Sequence, residues 1–78
     1  MDLRQLKYFT RIVELESFTV AAESLHIAQP SLSQHVANLE NEFETLLLVR
    51  GPGGVRTTET GDLLYRHAKM VLRQLDEA

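Results

Sequence analysis

The sequence predicts a mainly α-helical winged helix-turn-helix, in which a three-helix core carries a short β-hairpin wing and precedes a long C-terminal linker or dimerisation helix. Three observations predict this fold. Residues 17–43 have the pattern of a short helix, a tight turn and a longer helix. The glycine-rich residues 51–54 separate two β-prone runs. A final apolar repeat then extends to the end of the chain. We expect the winged helix-turn-helix at 1–58 and the last helix at 59–78.

The first predicted helix spans residues 3–14 and has a buried face and a basic stripe. Asp2 is placed to cap it, with Gln5 three residues later as in a capping box. The apolar face comprises Leu6, Phe9, Ile12 and Val13. The basic stripe comprises Arg4, Lys7 and Arg11. A solvated face is the simpler interpretation for the last two, whereas Arg4, near the helix start, is the better candidate for a phosphate contact.

The helix-turn-helix itself begins at Ser17, whose hydroxyl is placed to cap a helix at Phe18–Leu25. Residues 26–28 form the turn. Pro30 then falls in the first turn of the next helix, where its missing N–H costs nothing. A single apolar stripe follows along that second helix, at Leu32, Val36, Leu39 and Phe43.

The opposite face of this second helix carries uncharged hydrogen-bonding side chains: Gln29, Ser31, Ser33, Gln34 and Asn38. No Asp or Glu occurs from Ala28 to Leu39, although the chain has 11 acidic residues. Amides and hydroxyls suit base edges in a major groove, and a phosphate-rich partner requires a face clear of carboxylates. We therefore interpret 29–42 as a recognition helix for double-stranded DNA. The alternative is an ordinary pair of amphipathic helices, which is common in all-α proteins that bind no DNA.

Residues 46–58 are predicted to form the wing. An apolar run at 46–49 and a β-prone run at 55–58 flank a strong turn-forming segment. Arg50 and Arg56 lie on either side of the tip and suit phosphate contacts. A nucleotide-binding glycine loop is the alternative, but this segment lacks the Lys-Ser/Thr sequel and the strand-to-helix context of such loops.

The last helix is predicted from about Glu59 to Glu77, with Thr58 as its cap. Its heptad-like apolar seam comprises Leu64, Ala68, Val71 and Leu75. Other apolar residues widen this surface beyond what one side of the helix needs: Leu63, Met70 and Leu72. We expect a homodimer interface here. Packing of the seam onto its own domain is the alternative, and both contacts can exist together.

Composition excludes several other classes of protein. A chain of 78 residues forms one domain at most, and the absence of cysteine excludes disulfides, thiolate zinc sites and cysteine nucleophiles. No apolar run is long enough for a membrane span. The three histidines are scattered without catalytic partners, so we expect no enzyme activity, metal or cofactor, although His35 is a candidate phosphate contact. The net charge of −3 is unusual for a nucleic-acid binder. It favours the main alternative function, a winged-helix module that binds protein.

Several segments together resemble one family closely. They include residues 3–9, Ser17-Phe18-Thr19 with the following alanine pair, and residues 25–33 with their Ala-Gln-Pro-Ser-Leu-Ser core. Later matches are Leu39-Glu40, Leu47, Arg50, Thr58 and Gly61. The whole chain resembles the N-terminal DNA-binding domain of LysR-type transcriptional regulators. Within that family, residues 25–39 and 64–74 look closest to the nitrogen-assimilation-control subgroup.

The resemblance implies a bacterial, cytoplasmic, nucleoid-associated regulator of which this chain is a fragment. Such regulators carry a larger C-terminal domain that binds a small-molecule effector, dimerise through the long helix, often form tetramers, and bind interrupted palindromes. Transferred position by position, the residues facing base edges are Gln29, Pro30, Ser33 and Gln34. The phosphate contacts include Ser31 and Arg50, and the wing tip at Gly53 lies along the minor groove.

Three residues depart from the family pattern. Many members have a basic residue where this chain has Gln34, whose amide favours adenine over guanine. The wing tip is Gly53-Gly54, where relatives often place Arg or Lys. Glu44 stands where a helix-ending glycine is usual, and a left-handed conformation there costs about 1 kcal/mol for a residue with a side chain. Fewer cationic contacts predict a shallower salt dependence of DNA binding.

Overall fold

The computed structural model describes residues 1–77 and contains four helices and one β-hairpin in that range; Ala78, the last residue of the predicted 59–78 segment, lies outside it. The elements are α1 (Leu3–Leu15), α2 (Phe18–Leu25), α3 (Gln29–Phe43), β1 (Leu48–Gly51), β2 (Gly54–Thr57) and α4 (Glu59–Glu77). The predicted winged helix-turn-helix is confirmed. The helices begin where predicted, and α1 and α3 each end one residue later than predicted.

A single hydrophobic core lies between the first three helices and the base of the hairpin. Its fully buried large side chains are Phe9, Ile12, Leu32, Leu39 and Leu47. Complete burial of one such side chain contributes roughly 1.5–3 kcal/mol, so the core residues of α3 hold the recognition helix firmly against α1 and α2. The predicted stripe on α3 is buried except at its end, where Phe43 is 39% exposed because the helix stops there.

Side-chain caps fix the starts of three helices, as predicted. The Gln5 amide donates to Asp2 Oδ1 at 2.7 Å, and the Val20 amide donates to Ser17 Oγ at 3.1 Å. At the start of α4 the Gly61 amide donates to Thr58 Oγ1 at 3.0 Å. Each such cap satisfies an N–H that has no partner within its helix, which fixes where the chain enters the helix.

Each of the first three helices ends at a non-glycine residue in the left-handed conformation. These residues are Glu16, His26 and Glu44, with φ of 55°, 58° and 54°. In each case the backbone N–H of the capping residue donates to carbonyls of the preceding turn. This strain was predicted at Glu44 from the family pattern. The turns at the other two residues also require it.

Glu44→Gly is expected to stabilise the domain by about 0.5–1 kcal/mol, because glycine adopts this φ without a steric penalty and the change removes a carboxylate from the negative end of α3. Urea denaturation followed by circular dichroism measures the change. Glu44→Ala is the matched control: it removes the same charge but keeps the strained Cβ. Equal stability of the two variants would contradict the assignment of strain to the backbone.

The N-terminal half of α4 packs onto its own chain. Ala68 is 1% exposed, and Leu64 and Tyr65 lie against the core. Ala68 and, for the most part, Leu64 are therefore used within the domain, which is the internal packing considered as the alternative for this seam. The physical reason is that α1 needs a partner for its outer side, and the small Ala68 permits close approach of α4. Val71 and Leu75 of the same seam remain exposed.

A polar contact joins α4 to α1 beside this packing. Lys69 Nζ lies 2.8 Å from Glu14 Oε2, and the Tyr65 hydroxyl donates to the same oxygen at 2.8 Å. The bond from Lys69 is the main cause of a lowered pKa for Glu14; partial burial opposes it and the Tyr65 hydroxyl adds to it. The same bond raises the pKa of Lys69. Burial, followed by the Glu14 contact, raises the pKa of Tyr65.

These shifts predict an acid-sensitive contact between α1 and α4. Because its pKa is lowered by folding, Glu14 stabilises the domain above its ordinary pKa, and this contribution is lost as the pH falls through the lowered value. Lys69→Met is expected to cause a small loss of stability at neutral pH, small because the pair is solvent-accessible. The difference from the parent should shrink as the pH is lowered to about 2. Urea denaturation across this pH range measures it, and a difference independent of pH would contradict the prediction.

Candidate nucleic-acid interface

The N-terminal half of α3 presents an exposed, carboxylate-free surface. The exposed candidates on it are Gln29, Pro30, Ser31 and Gln34. Pro30 lies in the first turn, and the described residues 1–77 provide no side-chain cap at Ala28, which precedes the helix. The first backbone N–H groups of α3 therefore point outward beside polar side chains, and with the helix dipole they favour an anionic partner.

Gln34 is oriented by a neighbour on the same face. Its Nε2 donates to Asn38 Oδ1 at 3.0 Å, one helical turn further along α3. This bond uses one of the donors of Gln34 and leaves its carbonyl oxygen and second N–H free. A free donor and a free acceptor on one amide match the N7 acceptor and the N6–H donor that adenine presents in the major groove.

The hairpin lies beside α3, and its strands pair over more of the glycine-rich segment than the sequence suggested. Strands β1 and β2 are antiparallel, with Arg50 opposite Val55 and Gly51 opposite Gly54. The predicted turn was too long, since Gly51 and Gly54 pair and only Pro52 and Gly53 connect the strands. The apolar run at 46–49 also begins two residues before the strand itself, because β1 begins at Leu48. Gly53 and Arg56 are exposed, as a contact with DNA requires.

Two backbone contacts anchor β2 to the end of α1. The Val55 amide donates to the carbonyl of Glu16 at 3.1 Å. Gly54 has a φ of 111°, and a Cβ there would lie 2.8 Å from the same carbonyl oxygen. A glycine is therefore required for the hairpin to approach α1 closely.

Glu40 joins the recognition helix to the base of the hairpin. Its Oε2 accepts from the Leu47 amide at 2.7 Å and from the Leu48 amide at 3.2 Å. Glu40 was included in the family match, but this contact with the hairpin was not predicted. The available indication was its position: Ser33, Ala37 and Glu40 form a stripe beside the buried one, and all three are half-buried.

Arg50 projects from β1 into the space between α2 and α3. Its guanidinium carbon lies 3.6 Å from the centroid of the Phe18 ring, and its Nη2 donates to Ser33 Oγ at 3.0 Å. Ser33, a predicted base-edge contact, is therefore engaged by Arg50. Phe18 was not predicted as part of the interface, because an apolar residue at the start of a helix indicates only a core position.

His35 is only partly available for the predicted phosphate contact. Its ring meets Tyr8 of α1 edge-on, with 5.0 Å between the ring centroids. Its Nδ1 is buried, with no hydrogen-bond partner among the described residues. The side chain thus contributes to the packing of α3 on α1, and only its other edge can reach a ligand.

Arg4 lies away from the other candidates. The Met1 amino group contacts the Glu42 carboxylate, so α1 begins beside the C-terminal turn of α3. At about 1.5 Å per residue, that turn is about 20 Å along α3 from Gln29. Arg4 lines a groove between α1 and α4, together with Lys69 and Asp76. The structure therefore does not bring Arg4 to the surface formed by α3 and the hairpin.

Two further findings concern the described part of the chain. Residues 1–77 contain no group of three or more His, Cys, Asp or Glu side chains arranged to hold a metal ion. None of the four helices described there is both long enough and apolar enough to cross a membrane.

The sequence from residue 3 to residue 62 matches the family described as bacterial regulatory helix-turn-helix protein, lysR family. The chain belongs to this family. The match spans α1, the helix-turn-helix, the hairpin and the start of α4, which are the elements that form the candidate interface.

Individual relatives support the LysR assignment. The nitrogen assimilation regulatory protein nac of Klebsiella aerogenes is 56% identical over 78 residues, which is all of this chain and 26% of that protein. A BenM DNA-binding domain in complex with catB site 1 DNA superimposes with a TM-score of 0.95 at 47% identity, covering 99% of this chain and 86% of that one. A CbnR DNA-binding domain in complex with DNA superimposes with a TM-score of 0.92 at 31% identity, covering 99% of this chain and 88% of that one. The chain thus spans about a quarter of the length of the curated relatives it matches.

Proposed function

We propose that this chain is the DNA-binding part of a sequence-specific bacterial transcriptional regulator. In this proposal α3 lies in the major groove of double-stranded DNA, and the hairpin contacts the adjacent backbone or minor groove. The observation that carries the proposal is the combination of a carboxylate-free α3 surface with a backbone that superimposes closely on LysR-family domains bound to DNA. Two other relatives, CysL and BenM, are named HTH-type transcriptional regulators, and we propose no catalytic role or cofactor for this chain.

The distribution of charge supports this proposal despite the net charge of −3. Among the acidic residues of α3 and its cap, Glu42 and Glu44 lie at the C-terminal end, and Glu40 is engaged by the hairpin backbone. The cation Arg50 lies on the hairpin beside the polar half of α3, where it donates to Ser33, and Arg56 is exposed on the other strand. Phosphates approaching that half therefore meet cations and N–H donors, with the carboxylates of α3 at the far end.

We assign different roles to the residues of this surface. The side chains of Gln29, Pro30 and Gln34 face base edges. Ser33 lies beside them and is hydrogen-bonded to Arg50. Phosphate contacts come from Ser31, His35, Arg50, Arg56 and the backbone at Gly53. We assign no DNA contact to Arg4, because it lies at the N-terminal end of α1, whereas the hairpin contacts the C-terminal end. Base contacts determine sequence preference, whereas phosphate contacts determine affinity on every sequence.

Selection from a duplex library with a randomised core tests these roles. The parent chain is expected to enrich an interrupted palindrome. Gln34→Ala should broaden the enriched sequences, with a loss of discrimination of about 1–3 kcal/mol at one base pair. Arg50→Ala should leave the enriched sequence unchanged but weaken binding to all duplexes together. The assigned interface would be wrong if neither substitution altered selection or affinity.

We further propose that the chain acts as a homodimer through α4, with the two copies of α3 in successive major grooves about one helical turn apart. Support comes from apolar side chains left exposed on α4, namely Leu63, Met70, Val71 and Leu75. These differ in part from the predicted seam, because Leu64 and Ala68 pack internally. The relatives are about four times longer than this chain. We therefore assign tetramer formation and binding of a small-molecule effector to parts of the full-length regulator outside it, and we place that regulator in the cytoplasm at the nucleoid.

Val71→Asp is expected to convert the dimer to a monomer, because a charge would be buried in an apolar contact without a partner. Light scattering after gel filtration measures the mass, which should fall from that of two chains to that of one. Thr60→Asp is the control, since it places the same charge on an exposed polar site of α4. An unchanged mass for Val71→Asp, or a monomeric parent, would remove α4 from the interface.

A further inference from the structure

Arg50 is held by two side chains from two different helices. The buried Phe18 ring, 6% exposed, lies under its guanidinium at 3.6 Å from the ring centroid. Ser33 of α3 accepts a hydrogen bond from its Nη2 at 3.0 Å. Contact with a flat aromatic face and a directional hydrogen bond together restrict both the position and the rotation of the guanidinium.

The backbone that carries Arg50 is also fixed. Glu40 accepts hydrogen bonds from the amides of Leu47 and Leu48, three and two residues before Arg50. On the other strand, Val55 is paired with Arg50 and its amide is bonded to the Glu16 carbonyl. The backbone of Arg50 and its guanidinium are therefore both held by contacts with the helices, so the guanidinium keeps a defined position relative to α3.

We propose that Phe18 and Ser33 are positioning residues for Arg50: they hold its guanidinium beside the polar half of α3 in the orientation that donates to a DNA phosphate. This inference rests on the proposed function. A guanidinium has five N–H donors, and the contact with Ser33 uses one of them. The remaining donors lie along the edge of the group and match the oxygens of a phosphate.

This arrangement gives Ser33 a different role from the base-edge contact predicted from the sequence. Its hydroxyl accepts from Arg50 and still carries one hydrogen to donate. Phe18 has no polar atom and reaches DNA only through the cation it supports. A long side chain that is already ordered loses less freedom when it binds, so both residues should strengthen every complex with DNA rather than select among sequences.

Two substitutions test the inference in the 78-residue chain. Phe18→Leu keeps an apolar side chain in the core but removes the aromatic face, and Ser33→Ala removes only the acceptor. Each is expected to weaken binding about threefold on both a palindromic and a scrambled duplex. Arg50→Ala should weaken binding about tenfold or more. When Arg50→Ala is already present, the further effect of either substitution should fall below about twofold, because its target is gone.

Binding is measured by fluorescence anisotropy of labelled duplex at several salt concentrations, on proteins whose folding is verified by circular dichroism. Phe9→Leu is the matched control: it also removes a ring from the core, where Phe9 is 0% exposed, and leaves the Arg50 contact in place. It should leave DNA affinity unchanged. Ser33→Ala keeps the test valid if Phe18→Leu does not fold, because its half-buried hydroxyl is not part of the core.

The outcomes separate this inference from the proposed function. Losses of affinity that disappear in the Arg50→Ala background support the positioning role. Losses that persist unchanged in that background, or no loss for a folded variant, overturn it while the proposed function stands. A parent chain that binds neither duplex overturns the proposed function and, with it, this inference.

Discussion

Gly61→Ala is expected to lower the free energy of unfolding by about 3 kcal/mol or more, enough to unfold much of a small domain. A Cβ at this position would lie 1.9 Å from the carbonyl oxygen of Leu47 and 2.8 Å from its carbonyl carbon. These are backbone atoms, and they cannot move aside easily. The Leu47 amide is bonded to Glu40, and its carbonyl accepts from the Thr58 amide at 3.0 Å. The substitution therefore forces α4 away from the base of the hairpin.

Urea denaturation followed by circular dichroism measures this loss. Gly51→Ala is the matched control, because a Cβ there meets nothing within 4 Å, and it should change stability by less than about 0.5 kcal/mol. A Gly61→Ala protein as stable as the parent would contradict a close backbone contact between α4 and Leu47.

Glu40→Ala is expected to destabilise the domain by about 2–3 kcal/mol, because it leaves two backbone N–H groups near the core without their charged acceptor. The affected amides, of Leu47 and Leu48, lie where the chain leaves α3 and enters β1. Their release should also loosen the hairpin that carries Arg50. DNA affinity should therefore fall even under conditions in which the helices remain folded.

Hydrogen exchange at the Leu47 and Leu48 amides, together with urea denaturation, measures this effect. Glu42→Ala is the matched control. It removes a glutamate from the same helix, but one whose carboxylate is paired with the exposed amino terminus, so its effect should stay below about 0.5 kcal/mol. Slow exchange of both amides in the Glu40→Ala protein would contradict the role given to this carboxylate.

Local chemistry along the chain made much of this fold predictable. Asp2, Ser17 and Thr58 directly precede the predicted helices, and each caps the helix that it was expected to cap. The buried stripe on α3 follows from a 3.6-residue period. The hairpin was found from its glycines and proline, although its strands were misplaced, because pairing between Gly51 and Gly54 depends on geometry rather than on residue preference.

Contacts between distant residues were not predictable from the pattern. Glu40 and Leu47, Arg50 and Phe18, and Glu14 and Lys69 are joined only after the helices have packed. Amphipathicity also could not separate the two apolar sides of α4, because Ala68 suits a dimer seam and an internal contact equally well. The position of Arg4 was not predictable for the same reason: its helix face was clear from the sequence, but the direction of α1 relative to α3 was not.

The most direct test of the account is the affinity of this chain for the selected palindromic duplex and for a scrambled duplex, measured by fluorescence anisotropy across a salt series. We expect tighter binding to the palindrome and a negative slope of log affinity against log salt of about 0.9 for each phosphate contacted. Equally weak binding to both duplexes, with little dependence on salt, would contradict a DNA-binding role and favour the protein-interaction alternative.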